Sequence, residues 1–121
     1  MNEYRVVVAG CRDYNNYFLL SRELKKLIKN LDKDHEIIIV SGGASGADSL
    51  GEKFAKKHNL KIEKYPAEWD KYGRSAGPIR NYKMAQVADL VVVFWDGKSR
   101  GTKNMIECAE RENKSCTIIK I

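Results

Sequence analysis

What the chain has little of narrows its class first. It carries three cysteines, Cys11, Cys108 and Cys116, and two histidines, His35 and His58. The cysteines are odd in number and share no C-x-x-C spacing, so neither a disulfide framework nor a zinc site is indicated. The histidines fall at element ends among charged residues, which favours surface roles over metal binding or catalysis. No apolar run reaches the ~18 residues of a membrane helix, and Met1-Asn2-Glu3-Tyr4-Arg5 has no signal-peptide core. A reducing cytoplasm is the expected location, with no membrane partner. Internal repeats, linkers and low-complexity tracts are also missing. At 121 residues, one domain spanning residues 1–121 is expected.

Charge is unbalanced: 22 basic residues against 16 acidic give +6. This permits an anionic ligand or a nucleic acid without requiring either. Much of the excess sits on helix faces, at Arg22, Lys25, Lys26 and Lys29 and at Lys53, Lys56 and Lys57. A solvated surface accounts for those positions most simply.

Apolar runs at Arg5-Val6-Val7-Val8, Ile37-Ile38-Ile39-Val40 and Leu90-Val91-Val92-Val93-Phe94-Trp95 read as strands buried on both faces. Lys61-Ile62-Glu63-Lys64-Tyr65 alternates polar and apolar, as an edge strand does, and residues 117–121 close the sheet. Helical spacing predicts a first helix over about 17–31, on the stripe Leu20, Leu24, Leu27, Ile28 and Leu31. A polar connection follows over residues 30–35. A second helix is predicted over about 47–58, with Asn59 as its C-cap. Another begins near Pro78, with Arg80, Met84 and Val87 on one face, and a last one covers about 102–112. Residues 66–77 read as a long irregular segment containing Trp69 and Tyr72, which could stack on a base or anchor the loop. The alternation of strand and helix predicts an α/β fold, a doubly wound three-layer sandwich around a five-stranded, mainly parallel sheet. Ligands then bind at the carboxyl ends of the strands.

Two loops at such ends carry the chemistry. Ser41-Gly42-Gly43-Ala44-Ser45-Gly46-Ala47-Asp48 follows the second strand and opens a helix. Asp96-Gly97-Lys98-Ser99-Arg100-Gly101-Thr102 does the same after the fourth. Strand, glycine-rich turn and helix N-terminus together place backbone N–H groups against an anion. Gly42, Gly43 and Gly46 let the backbone approach a ligand, and Ser99, Gly101 and Thr102 offer donors. Arg12, Arg80 and Arg100 supply forked phosphate contacts. Asp48 suits a helix first turn and could equally bond a ribose hydroxyl.

Familiar alternatives drop out. The first strand's turn, Gly10-Cys11-Arg12-Asp13-Tyr14-Asn15, is not G-x-G-x-x-G, so an ordinary dinucleotide fingerprint is missing. Gly97-Lys98-Ser99 mimics the end of a Walker A loop, but the upstream glycine position holds Val92 inside a strand. Ser41, Ser45 and Ser99 have no visible base, so a Ser-His-Asp triad is unsupported. No cofactor and no metal are indicated.

Four motifs in order resemble the YspA/YpsA-related branch of the SLOG superfamily. They are Gly10-Cys11-Arg12, the Ser41 to Asp48 loop, Ala76-Gly77-Pro78-Ile79-Arg80-Asn81 with Met84, and Ser99-Arg100-Gly101-Thr102. That superfamily also holds Lonely Guy phosphoribohydrolases and the DNA-processing protein A family. The resemblance spans nearly the whole chain. It implies a Rossmann-like fold binding a nucleotide or nucleotide-derived ligand of AMP, ADP-ribose or NAD type. The ligand-binding set it implies is Gly10, Cys11, Arg12, Ser41, Gly42, Gly43, Ala44, Gly46, Asp48, Arg80, Asn81, Ser99, Arg100, Gly101 and Thr102.

The resemblance also implies N-glycosidic (phosphoribo)hydrolase chemistry, and here the sequence departs from it. Lonely Guy enzymes use an arginine and the glutamate of a P-G-G-x-G-T-x-x-E loop. Arg80 and the Gly101-Thr102 pair match, but Met105 stands at the glutamate position and the proline and double glycine are absent. Binding therefore carries over better than hydrolysis. Arg80 and Asp48 are the candidate catalytic residues, with Asp96 as another carboxylate. The alternatives are a single-stranded nucleic-acid-binding module and a ligand-sensing subunit without catalysis. Self-association as a homodimer is implied by the resemblance alone.

Overall fold

The structure is a computed structural model that describes residues 2–29, 31 and 34–121. Its strands are β1 (Asn2–Gly10), β2 (His35–Ser41), β3 (Lys61–Lys64), β4 (Leu90–Trp95) and β5 (Ser115–Lys120). Its helices are α1 (Tyr17–Ile28), α2 (Ala47–Lys57), the one-turn α3 (Trp69–Tyr72), α4 (Ala76–Val87) and α5 (Arg100–Arg111). The strands form one sheet in the order β3-β2-β1-β4-β5, and every neighbouring pair is parallel. The predicted α/β architecture is thus present, with a sheet that is wholly parallel.

Uninterrupted apolar strands make sense only between two helical layers. Val6, Val8, Ile37, Ile39, Val92 and Phe94 point to one face, where they pack with Leu20, Leu24 and Phe54 of α1 and α2. Val7, Ile38, Val40, Val91 and Val93 point to the other, against Met84 and Ala85 of α4 and Met105, Cys108 and Ala109 of α5. Strand period two delivers side chains alternately to the two layers. The connection from β3 to β4 changes faces, so the loops after β1 and β4 part at the switch point between adjacent strands. β3 lies at a sheet edge, as its alternation predicts.

Helix ends follow local chemistry. α2 and α5 both stop in Schellman motifs, with Asn59 and Asn113 in the left-handed region at φ 55°. Leu60 N–H bonds Ala55 O at 2.8 Å, and Lys114 N–H bonds Ala109 O at 2.9 Å. Asparagine tolerates that conformation better than most residues.

Three expectations need correction. α1 ends at Ile28 rather than near residue 31. Leu31 N–H turns back to the Ile28 carbonyl at 2.9 Å, which keeps Leu31 on the core without extending the helix. Of the polar connection at 30–35, residues 30, 32 and 33 lie outside those described. The segment 66–77 is mostly helical: α3 is followed by a 3-10 turn, Gly73–Ser75, and then α4. The Glu68 carbonyl accepts from Lys71 and Tyr72 at 3.1 and 3.0 Å, giving a turn too short to leave a periodic signature. Val87 is exposed, and Ala85 on α4 and Ala88 just after it take the inward positions instead. Small residues there let α4 lie close against α5, a choice that apolar size alone does not reveal.

Candidate functional site

The carboxyl ends of β1, β2 and β4 open onto a cleft of about 560 Å³. Its lining includes Cys11, Arg12, Asp48, Trp69, Arg80, Asn81, Asp96, Ser99, Arg100, Gly101 and Asn104. A second hollow of about 360 Å³ continues from it along Gly42, Gly43, Ala44 and Ser45. Arg12, Ala44, Trp69 and Arg80 border both, so the two form one groove over the glycine loops. Its combined size falls within the ~300–1,000 Å³ usual for small-molecule sites. A larger open groove, about 1070 Å³, lies at the opposite ends of the strands, away from both loops.

Arg80 is the hub. From the first turns of α4, its Nη1 donates to the Gly42 carbonyl at 2.6 Å and its Nε to Asn81 Oδ1 at 3.1 Å. Asn81 in turn donates to Asn104 Oδ1 at 2.9 Å and to the Gly101 carbonyl at 3.3 Å. Through these bonds α4 clamps the β2–α2 loop to the start of α5. Partial burial pulls the Arg80 pKa down, and the neighbouring Asp48 opposes that pull.

Asp48 is 5% exposed. Its Oδ2 accepts from the Ala44 amide at 3.3 Å. Burial raises its pKa to about 6, partly offset by backbone donors at Ala44 and Gly42 and by Arg80. Glu52, one turn further along α2, adds to the upward push. The carboxyl group thus lies in the cleft lining beside the Arg80 guanidinium, with a pKa well above the usual carboxylate range.

The glycines have separate duties. A Cβ on Gly42 would sit 2.9 Å from both Arg80 Cζ and Asp48 Oδ2, so only hydrogen fits between them. Gly46, at φ 75°, presses against the backbone of Cys11 and Arg12, and a side chain there would collide with it. Gly46 therefore joins the loops after β1 and β2 and lines neither hollow. Ser41 is fully buried. Its hydroxyl donates to Glu52 Oε2 at 2.7 Å and accepts from Gly43 N–H at 3.1 Å. It shapes the loop and lies outside both hollows.

At the β4–α5 loop, Asp96 Oδ1 accepts from the Lys98 and Ser99 amides at 2.8 Å each, which holds its pKa down. Ser99 caps α5: its Oγ accepts from Thr102 N–H at 3.4 Å and lies 3.1 Å from Thr102 Oγ1. These hydroxyls are engaged within the cap. The first-turn amides of Arg100 and Gly101 have no carbonyl a turn back to bond. Arg12 and Arg100 are both exposed at the rim. Met105 is buried in the cleft wall, so no carboxylate stands there. Trp69 is half exposed over both hollows, whereas Tyr72 faces away, with Lys71 Nζ 5.1 Å from its ring.

Asn104 and Glu52 were not foreseen from the sequence. Each follows a recognised residue at helical spacing, Gly101 by three and Asp48 by four, and that spacing was the available signal. Among the described residues, no group of three or more His, Cys, Asp or Glu side chains is placed to hold a metal. No helix among them is long and apolar enough to cross a membrane.

The strand order and the crevice at its switch point define a Rossmann-like α/β protein. The chain belongs to the YspA, cpYpsA-related SLOG family, whose profile matches residues 4–72. That stretch includes the loops after β1 and β2 and ends before Arg80. Gene 61 protein of Mycobacterium phage D29 is 28% identical over 117 residues, covering 88% of this chain and 89% of that protein. In fold the chain is similar to DNA processing protein A (DprA) from Streptococcus pneumoniae, with TM-score 0.72 at 20% identity over 97% of this chain. It spans 50% of that longer chain. It is also similar to TM1055, with TM-score 0.66 at 19% identity, covering 94% of this chain and 72% of the other.

Proposed function

We propose that the cleft binds a nucleotide or nucleotide derivative of the AMP, ADP-ribose or NAD type. The observation that carries this reading is the Arg80 clamp, which brings two glycine-rich loops and the start of α5 around one hollow. Phosphate would lie against the Arg12, Arg80 and Arg100 guanidiniums and the free amides at the α5 start, where charge-assisted bonds are strongest. The half-exposed Trp69 ring, which borders both hollows, would stack on a base.

A hydrolytic extension follows from Asp48. Water adding at the ribosyl carbon would release the base, and cleavage builds positive charge on the sugar. Asp48 in its protonated form donates to the departing base as the C–N bond breaks; the carboxylate left behind stabilises the charge on the sugar and takes the proton that the adding water gives up. The three free thiols, Cys11, Cys108 and Cys116, fit a reducing compartment such as the cytoplasm.

A second reading is contact with single-stranded nucleic acid. The +6 charge favours it, as does the fold shared with a protein named for DNA processing.

Native mass spectrometry of freshly purified protein tests the main reading. A bound mass that fragments to a nucleobase and phosphate is expected. An adduct-free protein that also fails to bind added AMP, ADP-ribose and NAD would sink it.

A further inference from the structure

We propose that the outer face of α1 and α2, together with the groove at the start of β2 and β3, binds single-stranded nucleic acid, with Phe18 stacking on a base. This rests on the second reading above and assigns it a surface that shares no lining residue with the nucleotide cleft.

Three observations converge. Phe18, on the outer side of α1, is 77% exposed, the most exposed large apolar side chain among the described residues. It shares a shallow hollow with Arg22, Lys25, Lys26 and Lys29. Lys25 and Lys29 also border the large groove of about 1070 Å³, where Lys56 and Lys61 face them and Glu36 is the one carboxylate among the described lining residues. A basic track therefore runs from the exposed ring, along α1, into an open groove.

The positive charge on this face is only partly compensated, by Glu23 beside Lys26 and by Glu3, 3.9 Å from Lys61. α1 and α2 carry Arg22, Lys25, Lys26, Lys53, Lys56 and Lys57. Of their acids, Asp48 is buried, and Glu52 is held by Ser41 and Lys64. Glu23 alone remains, paired with Lys26 at 3.4 Å. Lys53 and Lys57 Nζ stand 4.5 and 5.1 Å from the Tyr17 ring, which keeps the α1–α2 seam positive. The helix dipole explains basic residues in the last turns, but not Arg22, Lys53 or an exposed phenyl ring. Basic side chains tracking a backbone beside an aromatic platform are what an unpaired strand recognises; in a duplex the base faces are already stacked.

The test is fluorescence anisotropy of labelled oligo(dT) between about 50 and 200 mM salt. Wild-type binding should weaken steeply with salt. K25E/K29E should make the log–log salt slope shallower by about 1.4, the share of two single-strand phosphate contacts. The charge-matched control K103E/K120E, on the other side of the sheet and its far edge, should leave that slope unchanged. F18A should weaken binding about fivefold or more, and this loss should vanish on an abasic strand. K25E/K29E should retain nucleotide binding by calorimetry.

Failure of the wild type to bind oligo(dT) removes the nucleic-acid reading itself. Binding only to phosphatidylserine vesicles does the same and assigns the surface to membranes. Binding that K25E/K29E leaves intact, or that both double variants weaken equally, overturns the assigned surface. An F18A effect that persists on the abasic strand overturns the stacking role.

Discussion

Arg80 and Asp48 face each other across Gly42. Arg80 Nη1 donates to the Gly42 carbonyl at 2.6 Å, and Asp48 Oδ2 lies 2.9 Å from where a Cβ on that glycine would stand. A cation and an acid whose pKa burial raises to about 6 are thus held at the mouth of one loop by a residue that has no side chain. The arginine steadies the loop through Nη1 and is itself held by Asn81 through Nε, leaving Nη2 for an anion.

Gly42→Ala should uncouple this arrangement. The added methyl must displace the guanidinium or the buried carboxyl group, and the carboxyl group has little room to move. A stability loss of about 1–3 kcal/mol is expected for such overpacking. Nucleotide affinity should fall about tenfold or more as Arg80 swings away. Thermal melting and calorimetry on the same preparation measure the two effects.

Asp48→Asn should separate stability from function. The native Asp48 pKa is raised from 3.8 to about 6, so the folded state holds this proton after the unfolded chain has lost it. The unfolded state then binds fewer protons between about pH 4 and pH 6, and wild-type stability falls as pH rises through that window. Above it the cost is constant. Asp48→Asn removes it, and should raise stability by roughly 1–3 kcal/mol near pH 8 while gaining nothing near pH 4. Any hydrolase activity should disappear. Melting curves at the two pH values check the sign.

Trp69→Ala should weaken nucleotide binding with little loss of stability, since half of the ring is already in water. A stacked base contributes about 1–3 kcal/mol, so affinity should fall about fivefold or more. Trp95, the other indole, is committed to the Ser99 carbonyl at 3.0 Å. Wild-type tryptophan fluorescence should therefore respond to ligand mainly through Trp69, and Trp69→Ala should abolish most of the response.

Much of the fold was legible because the strands announce themselves. Val6-Val7-Val8 and Val91-Val92-Val93 have no polar face, which only a sheet covered on both sides accommodates. Asn59 marked the end of α2 for a conformational reason that operates within a few residues. The extent of α1 was overread because Leu31 reaches the same core by a turn that preserves the spacing of a helix. The helices in 66–77 were missed because one-turn elements leave no period to detect.

In the site, the two loops and Arg80 stood out by residue type. Their division of labour did not. Whether Ser41 touches a ligand or steadies Gly43 depends on Glu52, eleven residues away in sequence, and Gly46 owes its importance to Cys11 and Arg12 on another loop. Such pairings exist only once the sheet order is set.

The central claim is that Arg80 and its two loops form one nucleotide pocket, and isothermal titration with AMP, ADP-ribose and NAD tests it most directly. Wild type should bind at least one of them with one site per chain. Arg80→Ala should lose about tenfold or more, the contribution of charge-assisted hydrogen bonds, and Arg80→Lys should fall between, with melting temperatures confirming that both variants are folded. Absence of heat with all three ligands, or full affinity in a folded Arg80→Ala protein, would contradict the account.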